Sequence, residues 1–258
     1  MSNPPPPPES APPSEIALLL DLFSGLEREG PGSPEATRIA LESTGLRGAS
    51  RLRVGDFGCG SGASTAVLSD ELEADIVAVD LFPEFLTRVA PRCESPNVRS
   101  VLSDMSSLPF GDASFDLIWS EGAIYNIGFV EGLRTWRSLL RPHGVIAVSE
   151  LSWLGEERPA EVDSYWSEEY PGIATRVEKC SSAESLGFEV LNAFTLPEDC
   201  WTEHYHRPLR DAIDSFVERN GESEVAQAMA RATLDEIDLQ ERYGAHVGYV
   251  FYVLRALG

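Results

Sequence analysis

The stretch Val54-Gly55-Asp56-Phe57-Gly58-Cys59-Gly60-Ser61-Gly62 decides the fold of this 258-residue chain. It begins inside an apolar run typical of a buried strand and leads into a run with helical spacing. Glycines at 58, 60 and 62 let the backbone turn tightly between the two, so a ligand can approach the main chain. Asp80 ends the next predicted strand, where a carboxylate can bond both hydroxyls of a ribose. The pattern predicts a nucleoside-binding site at the end of the first strand.

Strand and helix patterns alternate around this stretch, which predicts an α/β fold with a doubly wound, mostly parallel, Rossmann-like sheet. The predicted strands are Leu52–Phe57, Asp75–Asp80, Val98–Leu102, Phe115–Ser120, Val145–Glu150, Phe188–Phe194 and His246–Leu254. The predicted helices are Ala63–Leu72, Pro83–Ala90, Phe129–Leu140 and Ile173–Leu186. Residues 155–172 are interpreted as a loop insertion.

Three further segments complete the predicted organisation. Residues 1–13 contain five consecutive prolines and predict a disordered tail, without the basic and apolar regions of a signal peptide. Residues 14–258 are expected to form one domain, with N-terminal helices in 14–46 that include a helix start capped by Ser33. Residues 197–244 predict a helical cap inserted between the last two strands, where caps usually help form a ligand cleft.

The charge balance bears on possible partners. The chain has 42 Asp and Glu against 20 Lys and Arg, a formal net charge of −22, and Lys179 is its only lysine. Such a negative surface repels phosphate backbones, so a nucleic-acid partner is disfavoured. A GC-rich genome explains acid excess with little lysine, and so does adaptation to high salt, where cations screen the self-repulsion. Both explanations stay open.

The cysteine spacing and the hydropathy of the chain indicate in which cellular compartment the protein works. The cysteines at 59, 93, 180 and 200 show no paired spacing, which predicts reduced thiols in a cytoplasmic protein. No apolar stretch approaches the length of roughly 18 residues that a membrane span needs. We therefore expect a cytoplasmic protein without a membrane partner.

Two kinds of cofactor fit the glycine-rich stretch. Gly58-x-Gly60-x-x-Ala63 also satisfies the dinucleotide pattern. Asp56 argues against a dinucleotide, because a carboxylate two residues before the first glycine repels a pyrophosphate and attracts a cation, directly or through water. None of the seven tyrosines has a lysine four residues later, so the catalytic pair of many nicotinamide enzymes is missing. S-adenosylmethionine, which carries a sulfonium and an ammonium but no phosphate, fits better.

At these positions the chain resembles the class I S-adenosylmethionine-dependent methyltransferases over about residues 50–195. The matching motifs are Asp56-x-Gly58-Cys59-Gly60-x-Gly62, Val79-Asp80-Leu81, Ser103-Asp104-Met105 with Leu108-Pro109-Phe110, and Phe115-Asp116-Leu117-Ile118. The resemblance implies a seven-stranded sheet of order 3-2-1-4-5-7-6 with strand 7 antiparallel. It implies that the glycine loop holds the methionine part of the cofactor and Asp80 the ribose. It also implies that Leu81 packs on the adenine, whose edge Asp104 and Met105 recognise.

Some segments resemble a narrower, small-molecule branch of that family. They are Glu29-Gly30-Pro31-Gly32-Ser33, Ser120 to Phe129, and Ser149-Glu150. We therefore expect methyl transfer to an O, N, S or C atom of a small molecule, with S-adenosylhomocysteine as the product. The alternatives are a catalytically inactive cofactor-binding protein and, less favoured, a nicotinamide-dependent oxidoreductase. The sequence does not determine an oligomeric state.

Three residues are candidates for the chemistry. Glu121 and Tyr125 follow the fourth strand, where an acceptor would meet the methyl group. Alternatively, Glu121 is a capping or loop carboxylate that contacts only the cofactor, and Tyr125 is a half-buried loop residue. His204, in the run Trp201 to His206, is a candidate base. The alternative is that this run is only the start of a cap helix, whose aromatic side chains pack against the rest of the protein. Glu150 either faces the same cleft or pairs with an arginine. The spacing of Cys200 and the nearby histidines matches no standard zinc site, so no metal is predicted.

Overall fold

A computed structural model describes residues 14–93 and 95–257, so the predicted proline-rich tail at 1–13 lies outside the described residues. The strands are β1 (Ser50–Phe57), β2 (Glu73–Asp80), β3 (Val98–Leu102), β4 (Phe115–Glu121), β5 (Leu140–Trp153), β6 (Ala174–Thr175), β7 (Phe188–Thr195) and β8 (Val247–Ala256). The helices are α1 (Glu15–Phe23), α2 (Pro34–Thr44), α3 (Ala63–Glu71), α4 (Pro83–Arg92), α5 (Phe129–Arg137), α6 (Ala160–Glu169), α7 (Arg176–Ser185), α8 (Asp199–Trp201), α9 (Arg207–Asn220) and α10 (Glu224–Tyr243).

The strand order β3-β2-β1-β4-β5-β8-β7 confirms the predicted fold class. Strands β1 to β5 pair in parallel, and β8 runs antiparallel to both β5 and β7. The first strand thus lies at the centre, where the chain turns from building one half of the sheet to building the other. A ligand crevice forms at such a switch point, at the carboxyl ends of the strands. One addition to the prediction is β6, a two-residue strand that pairs with the end of β5.

Helices cover both faces of the sheet, so the central strands are apolar on both sides. In β4, Leu117 and Trp119 belong to one buried cluster and Ile118 to the opposite one, as the two-residue period of a strand requires. Trp136 of α5 and Phe251 of β8 are fully buried in these two layers. This packing fixes the carboxyl ends of the strands in space.

A third apolar cluster joins the start of the chain to the cap. Leu18 and Leu22 of α1 pack with Leu209, Ile213 and Phe216 of α9. The cap therefore does not consist of residues 197–244 alone, because α1 belongs to the same apolar cluster. That unit lies over the sheet edge where ligands bind.

Two predicted helix boundaries are corrected by the structure. The helix expected to reach Leu140 ends at Arg137, because Pro142 cannot donate a helical hydrogen bond and β5 already begins at Leu140. The helix expected from Ile173 begins at Arg176. Thr175 caps it, with Glu178 bonding back to the Thr175 amide.

The segment 155–172 is not only a loop, since it contains α6. Val162 and Trp166, four residues apart, bury one face of this short helix against the sheet. Among the described residues, no helix has both the length and the apolar character needed to cross a bilayer.

Candidate active site

A cavity of about 850 Å³ opens at the carboxyl ends of β1, β2, β3 and β4. Its floor consists of the loops that follow these strands, and its roof consists of α1, residues 28–31 and the cap. Binding cavities for small molecules measure roughly 300–1,000 Å³, so this one has room for a nucleoside cofactor and a small second ligand. Of the predicted site residues, Gly58, Cys59, Gly60, Asp80, Leu81, Asp104, Met105, Glu121 and Tyr125 line it.

The glycine loop after β1 has the conformation that its glycines permit. Gly58, Gly60 and Gly62 have φ values of 71°, 52° and 88°, in the region that favours glycine. A methyl group on Gly58 would collide with Ala123, and one on Gly60 with the carboxylate of Glu29. The missing side chains therefore let the loop approach Ala123 and the carboxylate of Glu29 closely.

Gly62 has a different role from the one predicted. It does not line the cavity, and a methyl group there would lie 3.2 Å from Cα of Val89 in α4. The missing side chain lets α3 pack closely on α4, so the assignment of Gly62 to the ligand is corrected to helix packing.

Asp80 ends β2 and faces the loop. Its Oδ2 accepts a hydrogen bond from the Gly60 amide at 2.8 Å, and its Oδ1 accepts one from the Phe82 amide at 3.0 Å. Burial raises the pKa of Asp80, while these backbone donors act to lower it. Since each carboxylate oxygen has two lone pairs, each can accept one more hydrogen bond from the cavity side.

Asp56 lies beneath the loop and does not line the cavity, which corrects its assignment as a cofactor contact. Its Oδ2 accepts hydrogen bonds from Ser64 at 2.9 Å and Thr65 at 2.6 Å, so it anchors the start of α3. Burial raises the pKa of Asp56 to about 7, although the two hydroxyls act to lower it. Its carboxyl lies one layer below the cavity and holds the start of α3 in place under the loop.

Glu29 is a site residue that sequence reasoning did not assign. Its Oε2 accepts a hydrogen bond from the Ser61 amide at 3.1 Å, and Nη1 of Arg88 lies 3.7 Å from Oε1. Oε1 is buried and has no hydrogen-bond partner. Burial raises the pKa of Glu29, opposed by its bonds to Ser61. The only sequence signal for this residue is the run Glu29 to Ser33, because no spacing rule relates position 29 to the loop at 58–62.

Both carboxylate oxygens of Glu121 accept hydrogen bonds from other side chains of the protein. Its Oε2 accepts a hydrogen bond from Nη1 of Arg28 at 2.8 Å, and its Oε1 accepts from Thr37 at 2.7 Å and from Nε1 of Trp119 at 2.9 Å. Glu121 therefore fastens residues 28–37 to the end of β4. Both of its oxygens are already bonded to donors of the protein, so the prediction of a catalytic base at Glu121 is corrected to a positioning role.

The cap brings Tyr205, not His204, to the cavity. His204 is exposed and absent from the cavity wall, while Tyr205 lies on it, so the assignment of His204 as a catalytic base is corrected. Residues Thr202–His206 form a π-helix, in which successive side chains point in different directions around the axis, so His204 faces solvent while Tyr205 faces the cavity. Tyr125 does line the cavity, and burial raises the pKa of its hydroxyl.

The far end of the cavity has an apolar wall and a polar edge. Leu81, Phe82 and Phe85 form the wall, and Leu81 is 56 % exposed, an unusual state for a large apolar side chain. Asp104 accepts a hydrogen bond from the Ser106 amide at 2.7 Å, which holds the pKa of Asp104 below its usual value. Nε1 of Trp136 donates to the Met105 carbonyl at 3.0 Å and fixes this loop to α5.

Glu150 does not line the cavity and pairs with the only lysine, not with an arginine. Nζ of Lys179 lies 3.0 Å from its Oε1, and both side chains are almost completely buried. No group of three or more potential metal-ligating side chains occurs within residues 14–93 and 95–257.

Comparison with known proteins is consistent with this geometry. Residues 55–148 match a family model described as "Methyltransferase domain". A malonyl-[acyl-carrier protein] O-methyltransferase of Dechloromonas aromatica is 40 % identical over 97 residues, which are 37 % of this chain and 35 % of that protein. This chain therefore spans about a third of that relative's length.

Longer matches have lower identity. A trans-aconitate 2-methyltransferase of Escherichia coli O157:H7 is 27 % identical over 207 residues, which are 78 % of this chain and 77 % of that protein. The crystal structure of an S-adenosylmethionine-dependent methyltransferase from Geobacter sulfurreducens, in complex with S-adenosylhomocysteine, superimposes with a TM-score of 0.79 at 19 % identity. It covers 92 % of this chain and 96 % of its own chain, a likeness of the whole fold.

Proposed function

We propose that this chain, which carries a class I S-adenosylmethionine-dependent methyltransferase domain, transfers a methyl group from that cofactor to a small-molecule acceptor. The observation that carries the proposal is the glycine-floored cavity between the carboxylates of Asp80 and Glu29. One wall offers an acceptor for hydroxyls, and the other offers an acceptor for a cation. A ribose and an amino-acid ammonium meet those two needs in one molecule.

The residues present fit S-adenosylmethionine at each part of the molecule. Gly58 and Gly60 line the cavity, and the absence of a side chain at Gly60 lets the carboxylate of Glu29 lie close to the loop. Asp80 would hold the ribose, Leu81 would pack on the adenine, and Asp104 with the Met105 loop would recognise the adenine edge. Glu29 would bind the ammonium, because its Oε1 accepts no hydrogen bond from the described residues and its nearest cation, Nη1 of Arg88, lies 3.7 Å away, beyond hydrogen-bond distance.

The bound cofactor supplies an electrophilic methyl group on a sulfonium. The protein must then align a nucleophile about 3 Å from that carbon and exclude water, which is the main demand of an in-line displacement. The roof of α1 and the cap supports this role, since Leu19, Phe23 and Tyr205 close the cavity. The proposal assigns no general base.

A small acceptor agrees with the enclosed cavity and with the net charge of −22. Trans-aconitate, named for one relative, is a small molecule. A phosphate backbone would meet long-range repulsion at this surface, so we do not propose a nucleic-acid substrate.

The assignment of Glu29 predicts a selective loss of affinity. A Glu29→Gln variant should bind S-adenosylhomocysteine roughly 10- to 100-fold more weakly, because one charge-assisted hydrogen bond is worth about 1.5–3 kcal/mol. It should bind 5′-methylthioadenosine, which lacks the amino-acid part, as the parent does. Isothermal titration calorimetry of both ligands measures the two affinities.

Glu27→Gln is the matched control, since Glu27 is exposed, lies two residues away and does not line the cavity. It should leave both affinities unchanged. An S-adenosylhomocysteine affinity within twofold of the parent for Glu29→Gln would remove Glu29 from the ammonium site. Failure of the folded parent to bind either ligand below millimolar concentrations would reject the proposed function.

An inactive cofactor-binding protein is the alternative that the cavity also permits. The release of S-adenosylhomocysteine with any acceptor in a panel of small molecules separates the two, because a sensor binds without turnover. A nicotinamide enzyme is less favoured, and titration with NADH tests it.

We also propose a cytoplasmic location and an adaptation to high salt. Cys59, Cys93, Cys180 and Cys200 are all free thiols, which supports a reducing compartment. If the acid excess is a salt adaptation, the melting temperature should rise steadily as KCl approaches molar concentrations, because added cations screen the self-repulsion. A flat or falling melting temperature in a scanning-fluorimetry series would leave genome composition as the explanation.

A further inference from the structure

We call the part of the cavity wall that holds none of the proposed cofactor residues the acceptor half. It comes from α1, the turn after β4, the start of α5 and the cap. Its polar side chains include Tyr125, Glu131, Tyr205 and Glu236. Since the residues proposed to hold the cofactor come from other elements, this half is where an acceptor would bind.

The ionisable side chains of the cavity wall are almost all acidic. The one basic side chain among the lining residues is Arg28. Arg28 is already committed, because its Nη1 bonds Glu121 at 2.8 Å and its Nη2 bonds Thr37 at 3.3 Å. The acidic ones are Glu29, Asp80, Asp104, Glu121, Glu131 and Glu236. An anionic acceptor would find no uncommitted cation on this wall.

Glu236 differs from the other acidic groups in this half. Glu131 forms an ion pair with Arg134 of the same helix. Glu236 forms no ion pair within the described part of the chain, and no basic side chain contributes to its pKa. Burial among neighbouring residues raises the pKa of Glu236, and repulsion from Glu169 raises it further, while a bond from Tyr165 lowers it. Its side chain lines the cavity and is exposed.

Two tyrosines, Tyr125 and Tyr205, line the same cavity as this carboxylate. Burial raises the pKa of Tyr125 and Tyr205, and the charge of Glu236 raises both further. The phenols therefore stay neutral. Tyr125 keeps 43 % of its surface accessible, so its ring is available to a ligand. Neutral aromatic faces beside a carboxylate form a site that attracts cations.

We propose that the acceptor half recognises an acceptor through a positively charged nitrogen, a protonated amine or a quaternary ammonium, with Glu236 as its counter-ion and Tyr125 and Tyr205 beside it. The inference rests on the proposed methyl transfer and adds the chemical class of the acceptor. It also predicts a difference from the trans-aconitate relative, whose named substrate is a polycarboxylate. A carboxylate in this half would face unpaired Glu236 and would be repelled.

Two probes with the same skeleton and opposite charge test the inference. Phenethylamine and 3-phenylpropionate share a phenyl ring and a two-carbon chain, and end in an ammonium and a carboxylate. Isothermal titration of each into protein saturated with S-adenosylhomocysteine should show phenethylamine binding about tenfold more tightly or better. Glu236→Gln should weaken phenethylamine binding by about tenfold and should not weaken 3-phenylpropionate binding.

The control variant is Asp235→Asn, which removes the same charge from the neighbouring residue of α10, outside the cavity wall. It should keep most of the preference for the amine. Equal or tighter binding of 3-phenylpropionate, binding of neither probe, or an unchanged preference in Glu236→Gln would each overturn the inference. The outcomes are separable, because loss of S-adenosylhomocysteine binding in the parent would reject the proposed function itself.

Discussion

An Asp80→Ala variant is expected to bind S-adenosylmethionine and S-adenosylhomocysteine at least about a hundredfold more weakly than the parent. Two ribose hydroxyls would lose a charged acceptor, and each such bond contributes about 1.5–3 kcal/mol. The Gly60 amide would lose its partner at 2.8 Å as well, so the glycine loop would also lose its anchor on β2. Both effects reduce the affinity.

Isothermal titration of the two cofactors measures this loss. Asp75→Ala is the matched control, since Asp75 lies on the same strand with an exposed side chain and does not line the cavity. A Kd of Asp80→Ala within twofold of the parent would count against the ribose assignment. Circular dichroism of both variants checks that the sheet is intact.

A Lys179→Met variant is expected to lower the free energy of unfolding by roughly 3–5 kcal/mol, because it leaves a buried carboxylate without its partner. Glu150 is fully buried, and its Oε2 has no hydrogen-bond partner even with the lysine present. Nζ of Lys179 also lies 4.9 Å from the centre of the Phe129 ring. Methionine keeps the apolar stem and removes only the charge.

Urea denaturation of Lys179→Met, and of the double variant with Glu150→Gln, measures the effect. The double variant should recover most of the lost stability, since no buried charge is left unpaired. Arg242→Met is the surface control: its partner Glu161 is exposed, so the change in stability should be small. A Lys179→Met stability equal to that of the parent would mean that the pair contributes nothing.

The loss of stability should depend on pH. Burial raises the pKa of Glu150 above its ordinary value of 4.5, although the lysine acts to lower it, so removing Lys179 raises this pKa further. Folded Lys179→Met then holds a proton that the unfolded chain releases above about pH 4.5. Its stability should therefore fall as the pH rises, and the loss relative to the parent should be larger near pH 8 than near pH 5.

The sequence by itself determined the fold class, the strand order implied by the resemblance, and most of the cavity floor. Gly58, Gly60 and Asp80 could be assigned because each stands at the end of a strand, and parallel strands bring their carboxyl ends to one edge. Such features repeat with a fixed period or follow a strand at a fixed distance. Each of these features can be recognised within a short, continuous stretch of the sequence.

Only the tertiary structure decided which side chains face the cavity from elsewhere in the chain. Glu29 reaches the loop at Ser61 across 32 positions, and Lys179 reaches Glu150 across 29. Asp56 is next to the glycine loop in the sequence and yet lies beneath it in the structure. His204 and Tyr205 are adjacent, but His204 is exposed and Tyr205 lies on the cavity wall. The physical reason is that such contacts depend on how helices pack on the sheet, and that packing leaves no periodic pattern in the sequence.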